Sequence, residues 1–150
     1  MHVLDWNSSL SNIARLAAEL AGLALTGREV QVVFQKPMSG ARGMVFRKGE
    51  KAVIFIDRNL QEEQVFRTLL HELSHVSRHF HLVETYKGKP SGSLSDVPVE
   101  RLMPEVHEVE AESLSFRWYE TAVKLSPEGN FILWCLALTK EYLGGKKWKT

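Results

Sequence analysis

The sequence predicts an α+β fold: an N-terminal helix, a small three-stranded sheet, a helix carrying two histidines and a glutamate, and two C-terminal helices. Two observations predict it. Apolar residues recur at helical spacing at both ends of the chain, and Val-, Ile- and Phe-rich segments separated by Gly-containing turns lie between them.

After a cap at Asn7 or Ser8, the stripe Leu10, Ile13, Ala14, Ala17, Leu20 and Ala21 predicts a helix over about 8–24. EVQVVF, MVFRK and KAVIFID then read as three short strands of an antiparallel or mixed sheet. The last two form a hairpin around Lys48-Gly49-Glu50. Asn59 with Glu62 three residues on is a capping-box pattern. It opens a second helix striped by Val65, Phe66, Leu69, Leu70, Leu73 and Val76. Residues 82–103 include KGKPSGSLSDVP and read as a long loop. Pro104 suits the first turn of a third helix, over about 104–124, with an inner stripe of Val106, Val109, Leu114, Trp118 and Val123. Ser126-Pro127 opens a last, very apolar helix that runs to about Leu143 and stops at Gly144-Gly145.

The length of 150 residues suits a single domain over 1–150, and 44% hydrophobic with 25% charged residues can build a packed core. A formal charge of +1 argues against a dedicated nucleic-acid binder. The longest apolar run, Phe131 to Leu138, falls far short of the roughly 20 residues of a membrane span. The start, MHVLDWNSS, lacks the basic and apolar blocks of a secretion signal. A cytoplasmic protein with no membrane partner is expected, and the single Cys135 reads as a buried small hydrophobe.

His71-Glu72-Leu73-Ser74-His75 is H-E-x-x-H inside the second helix. Residues four apart lie about 40° apart around a helix, so both imidazoles project from one face and can share one ion. Glu72 sits about 100° away, beside them. Neutral imidazoles suit zinc, and the glutamate is placed to take a proton from a water attacking a carbonyl. A third ligand is needed, and two answers compete. His81 has the six-residue spacing of metzincins, but Arg78 stands where that pattern needs glycine to turn the chain. The acidic stretch His107-Glu108-Val109-Glu110-Ala111-Glu112 offers Glu108 and Glu112, four apart on one helix face, while Glu110 suits a solvent face.

The order AVIFID, RNLQEEQVFRTLLHELSH, loop, EVEAES resembles the gluzincin metallopeptidases of the ImmA/IrrE superfamily. It is also similar to the peptidase domain of ArdC-type antirestriction proteins, over about residues 44–120. The resemblance implies a zincin-like fold in which His71, His75 and Glu108 bind Zn2+ and Glu72 is the general base. Glu112 stands where the family has Asp or Asn orienting a ligand histidine. It also implies hydrolysis of a peptide bond in a protein partner, by a regulator of phage or other mobile-element type. In related zincins the strand before the active helix pairs with extended peptide, so AVIFID is either such an edge or a core strand.

Donors toward an oxyanion could come from His107, Tyr119, Tyr86 or Arg101. Tyr119, seven residues after Glu112 and so on its face, is assigned as catalytic, although an aromatic at that spacing also suits a core. His79 continues the histidine stripe and reads as a rim residue, and His2 carries no signal. The expectation is a zinc metallopeptidase. The alternative is a non-catalytic zinc-containing binding module, antirestriction-like or nucleic-acid-associated, whose site Glu112 or His79 closes. Nucleic acid is the weakest partner and would use Arg42, Arg47 and Lys48 with the KKWKT tail.

Overall fold

A computed structural model of the chain describes residues 8–35, 40–86 and 105–144. Its elements are α1 (Ser8–Thr26), β1 (Val30–Phe34), β2 (Gly43–Lys48), β3 (Lys51–Ile56), α2 (Glu62–His79), α3 (Glu105–Leu125) and α4 (Phe131–Thr139). A 3-10 turn, Phe80–Leu82, follows α2, and a π-helical turn, Lys140–Gly144, extends α4. The α+β class and the three-stranded sheet are as the sequence predicts, and the sheet is mixed.

The strand order is β1-β3-β2, with β1 parallel and β2 antiparallel to β3. β3 is therefore the central strand. The reading of AVIFID as a free edge is corrected to that of a core strand, because both of its hydrogen-bonding sides are occupied. Its side chains alternate between two layers. Ala52, Ile54 and Ile56 join the main core beneath the helices, while Val53 and Phe55 pack with Met44 and Phe46 on the other face. Tyr86 caps this second cluster, with ring centroids 5.9 Å from Phe46 and 6.0 Å from Phe55. The β2–β3 hairpin turns at Gly49, whose φ of 63° favours glycine.

The two outer edges are treated differently. In β1 the outward Val32 N–H donates to Glu19 Oε2 of α1 at 3.0 Å. In β2 the outward groups of Arg47 are taken by the chain after α2: its N–H donates to the Glu84 carbonyl, and its carbonyl accepts from the Tyr86 N–H, each at 2.7 Å. With Arg47 facing outward, strand alternation turns the N–H and C=O of Val45 and Gly43 to the same edge.

Helix boundaries and faces correct several expectations. In α1 the inward face is Ala14, Ala17, Ala18 and Ala21, whereas Ile13 and Leu20 of the predicted stripe lie on the exposed side with Leu16 and Leu23. Small residues let α1 approach the sheet closely. A Cβ at Gly22 would lie 2.9 Å from Val30 Cβ. Asn7 lies outside the described residues. α2 begins at Glu62 with Gln61 as N-cap and no side-chain cap bond, so the Asn59 capping box does not form. The Asn59 N–H is instead held by Asp57 Oδ1 at 2.9 Å in the turn leaving β3.

α3 buries Ala111, Leu114, Ser115, Trp118 and Ala122. Val106 and Val109 are exposed, at 69% and 64%, because they fall about 140° and 200° around the helix from Ala111. The predicted stripe there is corrected: small residues, not valines, mark the inner face. Val123 is half-buried. Ser126-Pro127 forms a turn rather than a helix start. Asn130 caps α4, its Oδ1 accepting from the Leu133 N–H at 3.0 Å. Glu62 Oε1, at the start of α2, accepts from the Phe131 N–H at 2.7 Å and ties the two helix starts together. Phe66 packs against Phe131 and Trp134, and Cys135 is fully buried, as expected. Of the predicted 82–103 loop, residues 83–86 run beside β2. The remainder, like Pro104, Arg101, His2 and the KKWKT tail, lies outside the described residues. Among those described, no helix is long and apolar enough to cross a membrane.

Candidate metal centre

The face of α2 next to its apolar stripe carries the motif. Leu69, Leu70, Leu73 and Val76 are each at most 1% exposed and anchor the helix, which leaves Glu72 (2%) and His75 (0%) buried within the protein while His71 is half-buried. The imidazoles of His71 and His75 meet edge to face, with centroids 4.9 Å apart.

α3 supplies the third group. Glu108 Oε1 lies 3.5 Å from His71 Nε2, and Glu108 Oε2 lies 3.4 Å from His75 Nε2. One ligand atom from each of His71, His75 and Glu108 lies within 4.8 Å of the other two, so the group could hold a metal ion. The spacing fits a small divalent cation: tetrahedral ligands about 2.0–2.2 Å from zinc stand about 3.3–3.6 Å apart.

Glu112 lies on the other side of His71. Its Oε1 is 2.9 Å from His71 Nδ1. With the proton on Nδ1 and donated to Glu112, the lone pair of Nε2 faces Glu108 and the shared site, the arrangement by which an outer carboxylate fixes a ligand histidine. The extra methylene of Glu over Asp or Asn is accommodated because Glu112 reaches the ring from an exposed position, with 71% of its side chain accessible.

The remaining expectations divide. His79 is corrected from a rim residue to a buried one, 3% exposed, with Nε2 2.7 Å from Glu110 Oε1. That bond holds the Glu110 carboxyl below its ordinary pKa, so Glu110 is not simply a solvated charge. His107 stacks on His79 at 4.5 Å. His81 is exposed on the 3-10 turn and is not one of the converging ligands. Tyr119 is not brought to the ligand group: its hydroxyl donates to Glu63 Oε2 at 3.0 Å, and its ring lies under the Arg67 guanidinium at 4.2 Å. Tyr86 belongs to the second cluster. Arg47 sits over Phe80, and burial pushes the Cys135 thiol pKa up, which removes it as a nucleophile.

Sequence reasoning missed the opposite wall. β2 begins against α2 at Gly43, where a Cβ would fall 2.5 Å from Thr68 Cγ2 and 3.4 Å from Glu72 Oε2. Only glycine lets the strand lie this close to Thr68 of α2, beside the buried glutamate. A glycine opening a strand beside a motif helix is the signal that could have marked it. Arg42, Gly43, Arg67, Thr68, His71 and Glu72 share one cleft of about 400 Å³. No protein-family model, curated protein or solved structure matches the chain.

Proposed function

We propose that the chain is a zinc-dependent metallopeptidase that hydrolyses a peptide bond in a protein or peptide partner. The observation that carries this reading is the grouping of one ligand atom each from His71, His75 and Glu108 within 4.8 Å, the Glu108 oxygens lying 3.5 and 3.4 Å from His71 Nε2 and His75 Nε2, with the buried Glu72 lining a cleft beside His71. Zinc held by these three would polarise a carbonyl and acidify a bound water toward a pKa of ~7.

Glu72 accepts the proton of the attacking water and returns it to the leaving amine. Glu112 keeps the His71 tautomer fixed. The outward N–H and C=O groups of Gly43 and Val45 offer main-chain pairing to an extended substrate, running past the cleft that Gly43 lines. Three protein ligands leave a coordination position for chemistry, whereas the binding-module alternative needs a fourth. Among the described residues neither of its two suggested donors joins the grouped ligand atoms, Glu112 bonding His71 Nδ1 and His79 bonding Glu110 through Nε2, which favours the enzyme.

The test is metal analysis beside peptide hydrolysis. Wild type is expected to hold about one zinc per chain, and Glu72→Gln to keep the zinc while hydrolysis falls about 10²–10⁴-fold. Folded protein that cannot be loaded with zinc, or undiminished hydrolysis by Glu72→Gln, overturns the proposal.

A further inference from the structure

The cleft that holds His71 and Glu72 also carries two guanidinium groups that metal binding does not use. Gln64, Arg67, Thr68 and His71 follow one another at i, i+3, i+4 and i+7, so they form one strip along α2 that leads away from the metal ligands. Arg42 faces this strip from the residue before β2. Arg67 is held in place: the guanidinium rests on the Tyr119 ring, and its Nη2 lies 3.0 Å from Glu63 Oε2, Tyr119 first and Glu63 after it raising its pKa. Glu63 offsets the Arg67 charge. Arg42 makes no ion pair among the described residues, and the two carboxylates that line the same cleft, Glu72 and Glu112, stand at its histidine end, Glu112 on His71 Nδ1.

We propose that Arg42, with Arg67 beside it, is the carboxylate-binding subsite of this cleft, and that the substrate is a polypeptide bearing a carboxylate close to the bond cleaved. The inference rests on the peptidase reading of the same site. An arginine fork presents parallel N–H donors matched to a carboxylate. Arg67 lies one helical turn, about 5–6 Å, from His71, and an extended chain advances about 3.3–3.6 Å per residue. The carboxylate therefore sits one or two residues from the bond presented to Glu72. It belongs either to an Asp or Glu side chain or to the chain's C-terminus.

Four labelled Ala-rich heptapeptides separate these sources: central Glu or Gln, each with a free or an amidated C-terminus. Their affinity is read by fluorescence anisotropy on the zinc-loaded Glu72→Gln protein. At least one carboxylate-bearing peptide is expected to bind about 10-fold more tightly than the neutral one. Adding Arg42→Gln removes that preference, whereas Lys48→Gln, the same charge loss at the far end of β2, leaves it. Equal affinities, no binding by any peptide, or a preference that survives Arg42→Gln overturns the proposal. Wild-type protein incubated with the same peptides reports hydrolysis. Missing hydrolysis with the preference intact counts against the peptidase reading alone, and hydrolysis without a preference counts against the subsite alone.

Discussion

α2 and α3 supply the same site from opposite environments. Glu72 and His75 of α2 are almost wholly buried. The side chains of Glu108, Glu110 and Glu112 on α3 keep 23%, 51% and 71% of their surface, and α3 leaves Val106 and Val109 in solvent at the same end. The difference teaches that α2 is positioned by packing, whereas the start of α3 is positioned largely by its polar contacts with α2. The groups on α2 are tied to the fold and those on α3 to the histidines of α2.

The sharpest way to break this comparison is to remove one carboxylate from α3 at a time. Glu112→Gln keeps a hydrogen bond to His71 yet loses the charge, and zinc affinity is expected to fall about 10–100-fold. Glu108→Ala should fall further still, with the fold retained in both. Competition against a chelator of known affinity measures this. Equal losses would mean that the two glutamates share one role.

Packing is the next largest effect. Leu73→Ala on α2 should destabilise the protein by about 2–5 kcal/mol, while Val109→Ser on α3 should change stability by less than about 0.5 kcal/mol. Urea unfolding of the metal-free proteins decides between them, and similar losses would refute the claim that packing holds α2 more firmly than the start of α3.

The smallest effect concerns the Glu110–His79 bond, which joins the two helices. Because the folded-state carboxyl is lowered from its ordinary value of 4.5, its stabilisation is complete above that value and is lost as pH falls through the lower, folded one. The stability gap between wild type and Glu110→Gln should be present at about pH 5 and shrink as pH falls below the ordinary carboxyl value of 4.5. A gap that widens on acidification would give the bond the wrong sign.

These contrasts also explain what could be read from the residues. His71, Glu72 and His75 were legible because a strict 3.6-residue apolar period fixes which way a helix faces, and α2 has one. On α3 Leu114 and Trp118 face inward as the stripe predicts, but Val106 and Val109 do not, because Ala111, Ser115 and Ala122, small residues that a hydrophobicity pattern underweights, complete the inner face. α1 was misjudged for the same reason, its alanines lying inside and Ile13 and Leu20 outside. Burial of His79 follows from the approach of Glu110 and His107 across a sequence gap of about thirty residues, which spacing does not encode. The pairing order that puts AVIFID in the middle of the sheet is likewise a long-range choice.

The Glu19 carboxylate lies where a fourth strand would begin to pair with β1. A side chain there satisfies the backbone donor but offers no continuing ladder, whereas the outward groups of Gly43 and Val45 lie on the opposite margin. Among the described residues, a polypeptide approaching the sheet in strand form thus meets a carboxylate plug at the β1 margin and, at the other, the stretch of β2 that lines the cleft of His71 and Glu72.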